Sequence, residues 1–212
     1  MELKGIYLVI DPKNDWEMLL AKIGAALQGG LGAIQIWNHW NDMLSRDQKL
    51  SFISDVKQIA SPFNVPVIMN EDWEIALAAR VDGVHFDTKP DNYKQVKASL
   101  NGKIIGFTVS NDLQHIRWAH EQRVTYISFC AMFPTATVET CEIVTKEVVR
   151  EARAITDMPI FLSGGIKPDN LKELSTLSFE GVAVVSGILS VNDPNIAVKE
   201  YANELKKLTR AK

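Results

Sequence analysis

Apolar residues in this chain come in short runs of strand length, separated by stretches whose apolar positions recur every three or four residues. The runs occupy residues 6–10, 33–36, 65–69, 83–86, 104–107, 126–129, 159–162 and 181–185. Helical spacing fills most of the gaps. It runs through 16–27, with apolar residues at 18, 19, 20, 23, 26 and 27, and again through 48–60, 73–79, 93–100, 113–120, 146–155 and 196–208. Runs that are almost continuously apolar suit strands covered on both faces, and right-handed helical crossovers make such strands parallel. Eight strands in regular alternation with helices predict a closed α/β architecture, a single-domain (β/α)8 TIM barrel over residues 1–212, rather than an open doubly wound sheet. No linker, low-complexity segment or domain boundary interrupts the pattern.

Composition narrows the function classes. At 212 residues and 46% apolar content the chain can bury one large core, with brief loops between its elements. A net charge of −3 and the lack of any basic block argue against nucleic-acid or membrane-surface partners. No run approaches the roughly 18 apolar residues of a membrane span. The opening Met-Glu-Leu-Lys-Gly-Ile-Tyr lacks the basic-then-apolar form of a secretory signal, so a cytoplasmic protein is expected. Cys130 and Cys141 are too few for a disulfide framework, and their spacing matches no zinc site.

The glycines point to candidate chemistry. The seventh apolar run ends in Ser163-Gly164-Gly165, with Pro168 placed near the first turn of a new helix, and the eighth ends in Ser186-Gly187. Adjacent glycines let backbone N–H groups turn toward a ligand, where a phosphate accepts them. Two such strand ends in succession predict a phosphate held between the last two β-to-α loops. The longest polar connection, residues 134–145, follows the sixth run and reads as a lid or ligand clamp. Trp37 and Trp40 follow the second run, as ring-stacking partners or as packing, and His85 reads as a satisfied interior histidine.

Five segments, in order, resemble the thiamine phosphate synthase family and its thiazole tautomerase relatives. They are Met69-Asn70-Glu71-Asp72 with Asp82-Gly83-Val84-His85, then Ile104-Ile105-Gly106-Phe107-Thr108, Phe133-Pro134-Thr135-Ala136-Thr137, Ser163-Gly164-Gly165-Ile166-Lys167-Pro168-Asp169-Asn170, and Gly181-Val182-Ala183-Val184-Val185-Ser186. The resemblance implies a transferase that condenses a thiazole phosphate with a hydroxymethylpyrimidine diphosphate, releasing pyrophosphate with help from Mg²⁺. It implies a thiazole phosphate site at Thr135, Thr137, Gly165, Val185 and Ser186, pyrimidine contacts at Gln35 and Asn70, a hydroxyl at Thr108, and Mg²⁺ at Glu71 and Asp91. Thr108 and Asn70 are the catalytic candidates.

The diphosphate side departs from the family pattern. Trp37 stands where the family has arginine, and His39 and Val138 stand where it has lysines. Glu71 replaces the first metal-binding aspartate, and the second falls on Pro90, one place before Asp91. Charge-assisted hydrogen bonds contribute about 1.5–3 kcal/mol each, so losing three would cost roughly 4–9 kcal/mol unless His39, Lys89, Lys146 or Lys167 compensates. Weak activity is therefore part of the expectation. Two alternatives follow: a thiazole-phosphate isomerase, although Ala131 replaces the tautomerase histidine, or a non-catalytic binder of a thiamine-pathway phosphate. The oligomeric state is left open, with a homodimer as the candidate.

Overall fold

Eight strands form: Gly5–Ile10 (β1), Leu31–Ile36 (β2), Val67–Asn70 (β3), Gly83–Phe86 (β4), Ile104–Val109 (β5), Tyr126–Phe129 (β6), Ile160–Ser163 (β7) and Gly181–Val184 (β8). Each pairs in parallel with the next, and β8 pairs in parallel with β1 to close the ring. Helices Trp16–Gly29 (α1), Arg46–Ala60 (α2), Trp73–Ala79 (α3), Tyr93–Ser99 (α4), Leu113–Glu121 (α5), Lys146–Ile155 (α6), Ser186–Leu189 (α7) and Pro194–Arg210 (α8) return the chain along the outside. The expected (β/α)8 TIM barrel is the fold of this computed structural model, which describes residues 3–135 and 142–210. Among the described residues no helix is long and apolar enough to cross a membrane.

The sequence expectation and the structure part in a few places, with local causes. β3 begins at Val67 rather than at 65, because Pro66 has no N–H to give the ladder and contributes only its carbonyl, which accepts from the Ile34 amide. The segment after β7 closes as a 3-10 helix, Pro168–Leu174, rather than a full α-helix. The single turn α7 follows β8 directly. Helix ends are capped locally: Ser45 and Gln48 form a reciprocal capping box at α2, and Gly30 takes a left-handed φ of +99° after α1.

Alternation along each strand sorts the residues between two cores. Ile6, Leu8, Ile10, Ile34, Ile36, Phe86, Phe107 and Phe129 face outward and pack with helix residues such as Ile23, Phe52 and Val149. The barrel interior is plugged by a separate cluster of Leu3, Tyr7, Ala33, Ile68, Tyr126 and Phe161. Above that plug, toward the C-terminal ends of the strands, the inward positions turn polar: Gln35, Asn70, His85, Thr108, Ser128 and Ser163. A row of polar side chains at strand C-termini is where a barrel of this kind carries its chemistry.

The opposite face reads as stability. Glu180 Oε2 accepts from the Ile160 amide at 2.6 Å and from Arg153 Nη2 at 2.7 Å, tying α6 to the starts of β7 and β8. On the flank, His115 packs against Trp118 and Phe107, and its Nε2 is buried without a hydrogen-bond partner among the described residues. Burial lowers its pKa from the ordinary 6.5. The folded protein then binds fewer protons than the unfolded chain as pH falls through about 6.5, so stability drops over that interval. A His115→Phe variant should lose less melting temperature between about pH 7 and pH 5 than the parent, as followed by circular dichroism.

Candidate functional site

The C-terminal mouth of the barrel opens into a cavity of about 960 Å³. Three loops build one side of it. The amides of Met132 and Phe133, after β6, donate to the carbonyls of Ser163 and Gly164, at the end of β7, at 2.8 and 3.1 Å. This close backbone contact demands glycine: a Cβ on Gly164 would lie 2.4 Å from the Ala131 Cβ, and one on Gly165 would lie 2.6 Å from the Pro134 carbonyl oxygen. Both glycines also hold positive φ, +82° and +65°.

Asn170 fixes the glycine loop by donating its Nδ2 to the Gly165 carbonyl while its Oδ1 accepts from the Lys167 amide. From α8, the Tyr201 hydroxyl donates to the Ile166 carbonyl at 2.9 Å. The same hydroxyl sits so near Gly187 that a Cβ there would be 2.2 Å away. One tyrosine thus braces the loops after β7 and β8 together. Beside Gly165, the amides of Ser186 and Gly187 open α7, where they have no intrahelical acceptor.

The other side carries a buried hydrogen-bond chain. The Tyr7 hydroxyl donates to Gln35 Oε1 (2.8 Å) and meets the Tyr126 hydroxyl (2.7 Å). Tyr126 in turn meets His85 Nδ1 (2.9 Å), His85 Nε2 meets Thr108 Oγ1 (2.8 Å), and Thr108 donates to Asp87 Oδ1 (2.8 Å). Burial pushes both tyrosine hydroxyls well above their ordinary pKa, which keeps them protonated.

Asp87 ends this chain at the cavity wall. Its Oδ2 accepts from Asn70 Nδ2 at 2.9 Å. Burial would raise its carboxyl, but the hydrogen bond and charge of His85, with the donors of Asn70 and Thr108, outweigh burial and hold it down to about 2. Glu71 supports the same corner. It holds a left-handed φ of +59°, and its Oε1 accepts from the amides of Asp87 (2.6 Å) and Thr88 (3.1 Å). Its own pKa is raised by burial against those bonds.

The residues singled out in the sequence fall in two groups. Gln35, Thr108, Thr135, Gly165, Val185 and Ser186 line the cavity together. Thr137, together with Val138 and Cys141, lies outside the described residues. His39, Asn70, Glu71 and Asp91 are not among the described residues that line the wall. His39 is half-buried at the rim, with Nδ1 3.0 Å from Asp11 Oδ2. Asn70 is buried, its side-chain amide holding Asp87 and its oxygen accepting from the Asn38 amide. Asp91 is exposed in the loop after β4. Trp37 lines the cavity with its ring against His39, whereas Trp40 is buried on Phe52. Of the lysines weighed as replacement cations, Lys167 lines the cavity, Lys89 stacks over Trp118 and Lys146 donates to the Glu173 carbonyl.

Sequence reading passed over Asp87, Tyr7, Tyr126 and Tyr201. Asp87 had a usable signal, because it lies two places past the inward His85 and so continues that face beyond the strand end.

Comparison with known proteins gives the family. Residues 6–188 match the family model described as thiamine monophosphate synthase. A thiamine-phosphate synthase of Methanobrevibacter smithii is 30% identical over 206 residues, covering 95% of each chain. One from Bacillus cereus is 27% identical over 207 residues, covering 97% of this chain and 92% of the other. The solved thiamine phosphate pyrophosphorylase of Pyrococcus furiosus superposes with a TM-score of 0.82 at 21% identity over 96% of both chains, which speaks for the fold. On the length and identity of these matches, the chain belongs to the thiamine monophosphate synthase family.

Proposed function

We propose that this chain is a transferase joining a thiazole phosphate to a hydroxymethylpyrimidine diphosphate, giving thiamine phosphate and pyrophosphate. The observation that carries the reading is that Gly165 and Ser186, from the loops after the neighbouring strands β7 and β8, line the same cavity in a chain of this family. A monoester phosphate accepts well from neutral amides and hydroxyls. Thr135, Thr137, Gly165, Val185 and Ser186 take that role, with Lys167 as the nearby cation. The pyrimidine lies by Gln35, Trp37 and Thr108.

Catalysis asks for alignment of the thiazole nitrogen with the pyrimidine methylene, and for stabilisation of charge as the diphosphate departs. Mg²⁺ takes oxygen ligands and needs only one or two carboxylates when substrate phosphates share it. Among the described residues no three acids, histidines or cysteines form a metal group, and Glu71 and Asp91, which do not line the cavity, are the carboxylates proposed for this smaller requirement. Bound there with the diphosphate, the ion would neutralise the leaving group. His39 stands at the rim, toward the solvent end of the diphosphate. Because Trp37 brings no charge to the wall, a rate below that of a cation-rich site belongs to the reading.

Purified protein given both substrates and Mg²⁺ should release thiamine phosphate. No product above that of a Gln35→Ala, Thr108→Ala double variant would refute the proposal.

A further inference from the structure

The charged groups on the cavity wall are unevenly placed. Among the described lining residues, Lys167 stands on the side of the β7 and β8 loops, with Gly165 and Ser186. Asp87 stands after β4, on the far side of an eight-stranded ring. The pocket is therefore anion-seeking at one end and cation-seeking at the other. Glu142 also lines it, from beyond β6, and unlike Asp87 it has no buried histidine and amide holding its carboxylate among the described residues.

Asp87 is built to stay in place. Asn70, Thr108 and His85 hold its two oxygens from beneath, and the amide of Asp87 itself is held by Glu71. His85 is 5% exposed and Asp87 is 50% exposed, so the carboxylate offers a ligand more surface than the imidazole does. A carboxylate this restrained loses little freedom when it faces a positive charge, which is the condition for effective electrostatic stabilisation.

Resting on the transferase reading above, we propose that Asp87 is the counter-ion for the positive charge that the condensation creates in the cavity. In that step the bond between the pyrimidine methylene carbon and the diphosphate oxygen breaks, and its electron pair leaves with the diphosphate. The thiazole nitrogen lone pair forms the new carbon–nitrogen bond, so the positive charge passes from the pyrimidine methylene to the thiazole ring. No proton moves. The product is an anion at its phosphate and a cation at its ring, which matches the two ends of the pocket. Asp87 thus favours the reacting pair and the product over the neutral thiazole that enters.

Calorimetry separates this role from simple cavity shape. Thiamine phosphate and thiazole phosphate carry the same phosphate, but only the first carries the ring cation. Asp87→Asn should weaken thiamine phosphate binding tenfold to a hundredfold and leave thiazole phosphate within twofold, the second ligand also reporting that the site is folded. In the unaltered protein, an isostere of thiamine phosphate with carbon in place of the quaternary nitrogen should bind at least tenfold more weakly than thiamine phosphate. Equal losses for both phosphates, no loss for either, a loss produced by Glu142→Gln instead, or an isostere bound as tightly as thiamine phosphate would each overturn the proposal. Failure to form product from the two substrates would count against the transferase reading, while the binding contrast still decides the role of Asp87.

Discussion

Replacing Gly165 with alanine should weaken thiazole phosphate binding at least a hundredfold while leaving the barrel folded. Two effects combine. A residue with a Cβ at φ +65° costs about 1–2 kcal/mol, since the side chain crowds its own backbone. The added carbon would also meet the Pro134 carbonyl oxygen at 2.6 Å and Phe133 at 2.8 Å. These are backbone and near-backbone atoms, pinned by the Phe133-to-Gly164 hydrogen bond, so no flexible tip can swing aside. The β6 and β7 loops must separate, and the separation carries away both the Gly165 amide and neighbouring Thr135. Titration calorimetry reads the loss directly. Gly102→Ala is the control, because that glycine has φ +76° with nothing within 4 Å of its Cβ and lies before β5, far from the mouth. It should lower stability and spare binding. Binding by Gly165→Ala within threefold of the parent would contradict the assignment.

Gly106→Ala should be among the most destabilising single changes, and its effect should reach the site. A Cβ there would lie 2.1 Å from the Tyr126 Cζ and 2.5 Å from its hydroxyl oxygen. The ring has nowhere to go, being packed on Tyr7, His85 and Phe161 at 5.9, 5.5 and 5.5 Å between centroids. Overpacking costs about 1–3 kcal/mol, and leaving Tyr7 and His85 without Tyr126 adds roughly 1–3 kcal/mol of unsatisfied buried polar groups. For a chain of this size each kcal/mol lowers Tm by roughly 2–4 °C, so a drop on the order of 10 °C is expected. A second substitution, Tyr126→Leu, should recover part of the steric loss, giving a double variant more stable than the two single losses predict. Strict additivity in the thermal melts would show that Gly106 does not act through Tyr126.

The barrel was legible because its signal is local. Each strand announces itself as a short apolar run, and each helix by its own period, so β4 and α3 appear with the bounds the sequence suggests. The glycine turns at 164–165 and 187 were legible for the same reason: close backbone approach needs a missing side chain, and the residue type says so. The chain of Gln35, Tyr7, Tyr126, His85 and Thr108 was not legible, because its members meet only through closure of the ring. Tyr7 and Tyr126 touch across 119 positions of sequence. Asn70 shows the same limit. Its identity suggested a ligand contact, but its side-chain amide is taken up by Asp87, a partner it meets only because β4 is its neighbour. Asp87 was hidden in a loop of ordinary polar residues until its partners gathered around it.

The most direct measurement is a crystal structure of the protein soaked with thiazole phosphate. Phosphate oxygens should lie within hydrogen-bond reach of the amides of Gly165 and Ser186, with the ring directed across the mouth toward Gln35 and Asp87. A phosphate settled elsewhere, with those two amides left facing solvent, would contradict the assignment of this cavity.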